Sequence, residues 1–213
     1  MSNKRLFACP EPTLRRLPAY CHFLREKLAS GRDIISCTHI SRAFKLDPTQ
    51  VRKDLEVTGI VGKPKVGYEV RVLIDSIEEF LGWKNLTDAF LAGVGHLGMA
   101  LLKYERFQEY GLRIVAGFDS DPSKIGQIIS HRQVLSIAKL TDLALRMHIH
   151  IGIIAVPGEH AQSVAQSMIE GGVRAIWNFA PVNLELPDDV VLENVFLSSS
   201  LAVLFNRLRQ RNN

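Results

Sequence analysis

The first third of the 213-residue chain shows hydrophobic positions at the spacing of α-helices. The first pattern spans residues 11–31, EPTLRRLPAYCHFLREKLASG, and contains Pro18, at which we expect the helix to start or to kink. Its apolar positions are Leu14, Leu17, Phe23, Leu24 and Leu28. Two shorter patterns follow, SCTHISRAF at 36–44 and KLDPTQVRKDLEVTG at 45–59. The chain therefore begins with three predicted helices.

The second and third predicted helices have the spacing of a helix-turn-helix. Lys45-Leu46-Asp47 forms a three-residue turn, with Asp47 as the N-cap and Pro48 at the first helical position. Val51 and Leu55 face the core, whereas the polar side chains near the start of the helix lie off that stripe, where base edges are contacted. The predicted DNA contacts of this helix are Thr49, Gln50, Arg52 and Lys53.

Residues 60–75, IVGKPKVGYEVRVLID, contain two β-like runs around a Gly/Pro/Lys turn. A hairpin here would complete a winged helix, with Lys63 and Lys65 at its tip over phosphates or a minor groove. Residues 1–65 carry 13 Lys and Arg against 6 Asp and Glu, whereas residues 85–213 carry 11 against 12. This basic excess favours a polyanion such as DNA as partner. The alternative is a small α/β module whose basic loop is only solvated.

After residue 84 the pattern changes to short apolar runs that alternate with helical ones. The run AFLAGVG leads into GVGHLG at 93–98, and the strand LRIVAGFD ends in Asp119 after the helix HLGMALLKYERFQEYG. The three glycines suit a tight turn, close approach of a pyrophosphate and helix packing. Asp119, 21 residues after Gly98, is placed to bond ribose hydroxyls and to disfavour a 2′-phosphate. No Lys or Arg follows before Lys124, so we predict NAD(H) rather than NADP(H).

Further α/β units follow in the runs IHIGIIAVP, GEHAQSVAQSMIEGG and VRAIWNF. They predict a doubly wound parallel sheet of the Rossmann type, and thus an α/β protein. We divide the chain into a winged helix-turn-helix domain at 1–84, an NAD(H)-binding domain at 85–196 and a C-terminal helix at 197–213. His148 and His150 flank one predicted strand, but without a nearby carboxylate or cysteine we expect no metal site.

The second half favours a sensor over an enzyme. Its α/β units leave no room for a separate substrate domain, no tyrosine has the Tyr-x3-Lys spacing of short-chain dehydrogenases, and no acid/base pair stands out. The odd set Cys9, Cys21 and Cys37 suits a reducing cytoplasm, and we expect neither a signal peptide nor a membrane span. Two alternatives stay open: a regulator that binds another adenine nucleotide such as a CoA derivative, and an NAD-dependent enzyme with an appended DNA-binding domain.

Seven stretches together carry a resemblance to a known family. They are LRRLPAY, QVRKDL, VGY, GVGHLGMAL, GFDSDPSKIG, AVP and NFAPV, in this order along the chain. On these stretches the chain resembles the Rex redox-sensing transcriptional repressors of bacteria. The resemblance implies NAD(H) as the ligand, a pseudo-palindromic double-stranded DNA operator, and a homodimer that swaps the helix at about 197–211. It also implies that NADH closes the dimer and releases the operator.

The resemblance extends the set of candidate site residues. In the first domain it adds Tyr68 to the DNA-binding lysines of the wing. In the second domain it implies nucleotide contacts by the glycine loop, the acid and two later strand ends: Gly93, Gly95, His96, Leu97, Gly98, Asp119, Ala155, Val156, Pro157, Asn178, Phe179, Ala180 and Pro181.

Three positions depart from the family pattern. Pro64 replaces the usual wing arginine, and His96 occupies a variable loop position that is often Asn or Arg. The family commonly has an Asp after Asn-Val near the end, where this chain has Phe196. In relatives that Asp joins a redox-linked network, to which Arg16 and Tyr104 correspond here. Because Phe196 cannot form those hydrogen bonds, we expect NADH and NAD⁺ to be distinguished less, or by another route.

Overall fold

The computed structural model describes residues 9–211, and the chain divides into two compact units at Asn85/Leu86. The first unit contains α1 (Glu11–Ala29), β1 (Ile34–Ile35), α2 (Cys37–Phe44), α3 (Pro48–Glu56), β2 (Tyr68–Glu69) and α4 (Val70–Phe80).

Helix α1 is continuous through Pro18, so the expectation that it would start there was wrong. The buried stripe of this helix continues on both sides of the proline, and its members are Thr13, Leu17, Tyr20, Cys21 and Leu24. Packing of that stripe outweighs the one backbone hydrogen bond that a proline removes. Leu14, predicted on the stripe, is 39% exposed.

The helix-turn-helix forms as its caps predict. The Ser36 hydroxyl accepts a hydrogen bond from the His39 N–H at 3.4 Å, and the Asp47 carboxylate accepts one from the Thr49 N–H at 2.7 Å. Lys45 adopts a left-handed conformation with φ 54°, which ends α2 and turns the chain into α3. Val51 and Leu55 are fully buried, as predicted.

The wing is smaller than the two predicted β-like runs. Only Tyr68–Glu69 is a strand, paired antiparallel with Ile34–Ile35, and an isolated bridge joins Lys63 to Gly67. The rest of the second run is helix α4, whose buried positions are Val70, Leu73, Ile74 and Ile77. Their helical spacing was masked in the sequence by β-branched residues, which also favour strands.

The second unit alternates strands and helices. It contains β3 (Thr87–Ala92), α5 (His96–Lys103), β4 (Leu112–Asp119), β5 (Ile128–Ile129), β6 (Arg132–Ser136), α6 (Leu140–Arg146), β7 (Ile151–Ile154), α7 (Gly158–Glu170), β8 (Ala175–Asn178), β9 (Val191–Asn194) and α8 (Leu197–Arg211). Short 3-10 helices cover Glu105–Tyr110 and Ile137–Lys139.

The seven strands form one sheet in the order β5-β6-β4-β3-β7-β8-β9, in which every pair is parallel except β5–β6. Without β5, this is the order 3-2-1-4-5-6 of dinucleotide-binding folds. Alternate residues of β3 enter two separate clusters: Phe90 packs with residues of α6 and α7, and Leu91 packs with Leu102 of α5. The strand order reverses between β3 and β7, and such folds bind ligands at that switch point.

Several details of this unit differ from the sequence predictions. Helix α5 was expected to continue to Gly111, but it ends at Lys103 and is followed by a 3-10 helix. Leu97, which was predicted in the core, is 40% exposed. Strands β5, β6 and β9 and helix α6 were not predicted individually. His148 and His150 both precede β7 instead of flanking it, and the described residues contain no cluster of metal-binding side chains.

Helix α8 differs from the others because none of its described side chains is buried. Its large apolar residues are between 51% and 68% exposed, and they are Leu197, Leu201, Val203, Leu204, Phe205 and Leu208. None of the helices formed by residues 9–211 has the length and apolar character needed to cross a membrane.

Candidate functional site

The glycine loop lies at the switch point of the sheet. Gly93 has φ +93°, and a Cβ there would come within 2.6 Å of the Ala155 carbonyl group at the end of β7. A Cβ on Gly98 would overlap the Gly93 carbonyl oxygen at 1.8 Å, so both positions exclude any side chain. The space beside Gly95 is open. The start of α5 is thus accessible to an anion such as a phosphate, which helix N-termini favour.

A cavity of about 520 Å³ adjoins this loop and the carboxyl ends of β3, β4 and β7. Six predicted nucleotide contacts line it: Gly93, Gly95, Asp119, Ala155, Val156 and Pro157. Eight further residues line the cavity without having been predicted: Phe118, Ser120, Asp121, Lys124, Ile137, His160, Ser163 and Val164. Except for Ile137, these residues lie close in sequence to Asp119 or Pro157, but no residue type or spacing marked them as lining residues. Asp121 and Lys124 lie within the matched stretch GFDSDPSKIG.

Asp119 is more heavily engaged than its sequence position suggests. Its Oδ2 accepts the Val94 N–H at 2.8 Å and the Lys124 ammonium at 3.1 Å, and its Oδ1 accepts the Asp121 N–H at 2.9 Å. Burial alone would raise the pKa of Asp119, but these hydrogen bonds and the Lys124 charge hold the pKa below its ordinary value. The carboxylate is therefore ionised and braces the glycine loop as well as facing the cavity.

The other predicted nucleotide residues lie outside this lining. His96 and Leu97 occupy the exposed first turn of α5. Asn178 is fully buried and donates to the Val182 carbonyl at 3.0 Å and to Asn194 Oδ1 at 2.8 Å. It also accepts the Ala180 N–H at 3.0 Å, so its amide holds the turn after β8.

A series of aromatic rings runs from Phe179 to Tyr104. Ring centroids are separated by 4.7 Å for Phe179–Trp177, 5.6 Å for Trp177–Phe107 and 4.8 Å for Phe107–Tyr104. Tyr104 is 43% exposed, and Phe196 is half-buried directly before α8. The two switch candidates of the second unit, Tyr104 and Phe196, thus differ in exposure. Tyr104 connects through the packed rings to Phe179, a predicted nucleotide contact.

The first unit presents a basic groove between α3 and the wing. It has a volume of about 670 Å³, and Arg52, Lys63 and Lys65 all line it. Thr49 and Lys53 are exposed on the same helix as Arg52. The cations predicted from the sequence are therefore accessible, and three of them share one groove.

Two other predicted DNA contacts have partners inside the unit. Gln50 Nε2 donates to Asp54 Oδ1 at 2.9 Å, and Tyr68 is only 8% exposed beneath the wing, with its hydroxyl 4.0 Å from the Cys37 sulfur. Burial raises the pKa of Tyr68 to about 12. Gln50 thus holds α3 and Tyr68 supports the wing, although Tyr68 also lines the basic groove. DNA contact by these two residues stays a prediction.

Asp54 is the centre of a buried hydrogen-bond network. Its side chain is 0% exposed and pairs with Arg16 through contacts of 2.6 Å and 2.7 Å. It also accepts from Thr13, Tyr20 and Gln50 at 2.8–2.9 Å. Arg16, the switch candidate of the first unit, is thus bonded to the helix that carries the candidate DNA contacts.

Comparison with known proteins identifies the family of this chain. The chain is 44% identical over 193 residues to the redox-sensing transcriptional repressor Rex of Treponema denticola, covering 91% of this chain and 92% of the relative. It is 42% identical over 199 residues to the Rex repressor of Bacteroides fragilis, with coverage of 93% and 90%. The chain belongs to the Rex family.

Solved structures and family models agree with membership in the Rex family. The crystal structure of RSP in complex with β-NAD⁺ and operator DNA has a TM-score of 0.89 and 34% identity, covering 96% of this chain and 94% of that one. RSP in complex with β-NADH has a TM-score of 0.88 and 33% identity, covering 96% of both chains. Family models match residues 8–56 ("Putative DNA-binding protein N-terminus") and 84–182 ("CoA binding domain"). The Rex relatives are named repressors, not enzymes.

Proposed function

We propose that this chain is a transcriptional repressor that binds an operator through its first unit and NAD(H) through its second, and that NADH releases the operator. The observation that carries the proposal is the combination, in one Rex-family chain, of an open glycine loop at the switch point and a basic groove beside a helix-turn-helix. Structures of the relative RSP contain β-NAD⁺ with operator DNA and β-NADH.

The DNA contacts are assigned to α3 and the wing. The exposed Thr49, Arg52 and Lys53 lie near the start of α3, the end of a recognition helix that meets base edges in the major groove. Lys63 and Lys65 line the groove beside it and are assigned to phosphates or the minor groove.

The cavity fits the adenosine half of a dinucleotide. Its volume lies within the range of about 300–1,000 Å³ that is usual for ligand sites. Ile137 and Val164 offer apolar contacts for a base, and Asp119 offers an acceptor for a ribose hydroxyl. The open side of Gly95 admits the pyrophosphate to the start of α5. We assign Ala155, Val156 and Pro157 to the wall opposite the loop, and Phe179 to Pro181 to the nicotinamide side.

A homodimer would cover α8. A lone helix with a wholly exposed apolar stripe is unfavourable, since burying one large apolar side chain contributes about 1.5–3 kcal/mol. We assign α8 to a second copy of the chain, exchanged as a swapped helix. A two-fold dimer presents two recognition helices and therefore matches a pseudo-palindromic operator. As a repressor it would act in the cytoplasm, where the bacterial chromosome lies.

Redox sensing requires a difference between two conformations of the dimer. NADH must bind the conformation that releases DNA more tightly than the one that holds it, since equal affinity shifts nothing. Moving the population from 1:99 to 99:1 needs a preference of about 10⁴-fold, or about 5.5 kcal/mol. The total affinity for NADH does not enter this requirement.

Fluorescence anisotropy of labelled operator DNA tests the proposal. Titration of the protein–operator complex with NADH should release the DNA, and NAD⁺ should release it less. CoA and acetyl-CoA are added in parallel, because the model of a CoA binding domain matches residues 84–182. Release by CoA but not by NADH would replace NAD(H) with a CoA derivative. Turnover of an added alcohol or aldehyde with NAD(H) would instead support the enzyme with an appended DNA-binding domain.

A further inference from the structure

We propose that Lys124 is a nucleotide-contacting residue, and that the balance of charge between Lys124 and Asp121 sets how strongly this protein rejects a 2′-phosphate. The inference rests on the proposed binding of NAD(H). It differs from the sequence expectation, in which Asp119 alone reads the ribose and no cation is near.

The hydrogen bonds of Asp119 leave it little capacity for a ribose. A carboxylate offers about four lone-pair positions, and here Oδ2 accepts two N–H groups and Oδ1 accepts one. One position remains, enough for one hydroxyl. The two adjacent hydroxyls of an adenosine ribose therefore need a second partner.

Lys124 is placed to be that partner. It lines the same cavity, its side chain is 32% exposed, and its ammonium lies 3.1 Å from Asp119 Oδ2 and 3.9 Å from Asp121 Oδ2. Only the shorter of these two contacts is a hydrogen bond, so the three-donor ammonium keeps capacity for a ligand oxygen. Asp119 fixes the position of the ammonium beside the cavity.

Asp121 supplies the opposing charge. It lines the cavity with a side chain that is 44% exposed, and its Oδ1 accepts from the Ser123 N–H at 2.9 Å and hydroxyl at 2.7 Å. Those hydrogen bonds hold the pKa of Asp121 below its ordinary value, so it is ionised at neutral pH. The two carboxylates of Asp119 and Asp121 and the ammonium of Lys124 together carry one net negative charge. This charged cluster therefore repels a 2′-phosphate only moderately.

Opposite substitutions should therefore move specificity in opposite directions. Lys124→Met removes the cation and leaves two carboxylates, which should weaken NADH binding several-fold and NADPH binding by about ten-fold more. Asp121→Asn keeps an oxygen for the Ser123 hydrogen bonds and makes the charged cluster neutral. The affinity for NADPH relative to NADH should therefore rise by about ten-fold. A ten-fold change in Kd corresponds to about 1.4 kcal/mol.

The experiment measures Kd for NADH and NADPH by nucleotide fluorescence in the full-length wild type and both variants, at low and high salt. Lys103→Met, at an exposed lysine of α5 outside the cavity lining, is the matched control and should leave the NADPH/NADH ratio of Kd unchanged. The ratio separates a ligand contact from a purely structural ion pair, whose loss would weaken both nucleotides equally. High salt should shrink the changes in ratio.

Three results distinguish the possible failures. A wild type that binds neither nucleotide overturns the proposed function itself. A wild type that binds NADH, with ratios within two-fold of wild type in both variants, overturns only the inference about Lys124 and Asp121. If Lys124→Met does not fold, the ratio for Asp121→Asn decides alone: a rise in relative NADPH affinity supports the inference, and no change refutes it.

Discussion

Replacing Arg16 with leucine should destabilise the first unit by about 3 kcal/mol. Arg16 contacts both oxygens of Asp54 at 2.6 Å and 2.7 Å, and Asp54 is 0% exposed. Removing one partner of a buried pair costs about 3–5 kcal/mol, because the other charge stays buried without compensation. Thr13, Tyr20 and Gln50 still donate to the carboxylate, so we expect the lower end of that range.

Urea unfolding of the full-length protein, followed through the transition of the first unit, measures this loss. Asp54→Asn keeps the shape but replaces one acceptor oxygen with an NH2 group. At least the two donors on Oδ2, Arg16 Nε and the Tyr20 hydroxyl, then lose their acceptor, which should cost about 2–3 kcal/mol. The double variant should then be more stable than the sum of the single losses allows, by at least 1 kcal/mol. Lys84→Met, which breaks an exposed pair with Asp75 at 3.2 Å, is the control and should cost less than about 1 kcal/mol.

The stability lost in the Arg16→Leu variant should depend on pH. Burial alone would raise the pKa of Asp54, but hydrogen bonds from Arg16 and from three neutral side chains lower it below its ordinary value. A lowered pKa in the folded state stabilises the protein above the unfolded-state pKa of about 3.9, and this contribution fades as pH falls through the folded-state value. Wild type and Arg16→Leu should therefore differ most near pH 7 and converge in acid.

Two outcomes would refute this reasoning about the buried network. One is a loss for Arg16→Leu no larger than that of Lys84→Met. The other is strict additivity of the Arg16 and Asp54 substitutions, which would mean that the two side chains do not interact in solution.

Other predictions address the DNA surface, the dimer and the redox response. Arg52→Ala should weaken operator binding by about 1–3 kcal/mol, whereas Lys65→Ala should mainly reduce, by about one, the slope of the logarithm of the binding constant against the logarithm of salt concentration. Anisotropy titrations at several salt concentrations separate these two effects. Unchanged operator affinity for Arg52→Ala would contradict the assignment of α3 to the DNA interface. Leu204→Asp should shift the protein from dimer to monomer in analytical ultracentrifugation, because Leu204 lies on the exposed apolar stripe of α8. A variant that remains a dimer would contradict the assignment of α8 to the dimer interface. Phe196→Asp should increase the difference between NADH and NAD⁺ in their ability to release the operator. If NADH and NAD⁺ already have strong, opposite effects on the wild type, the role given to Phe196 is wrong.

Features that depend on neighbouring residues were predictable from the sequence. The start of α3 is encoded by Asp47 and Pro48, since an N-cap and an N1 proline act within one turn. The glycine loop was also predictable from local sequence, because the spacing of its glycines sets where the backbone must turn and where a helix can pack against a strand. Helix α4 is the counterexample: its β-branched residues suited a strand as well, and only burial of Val70, Leu73 and Ile77 on one side decided for a helix.

Contacts between distant residues were decided by the tertiary structure. Gln50 was predicted to contact DNA from its place on α3, and Tyr68 from the family resemblance. Neither signal indicated that Asp54 and Cys37 would be their partners inside the fold. The sequence placed Asp119 at the ribose, yet it gave no sign that Lys124 would be drawn to the same carboxylate. Helical and strand periodicity report which face of an element is buried, not which side chain it meets there, so the ion pairs at Asp54 and Asp119 appear only once the chain has folded.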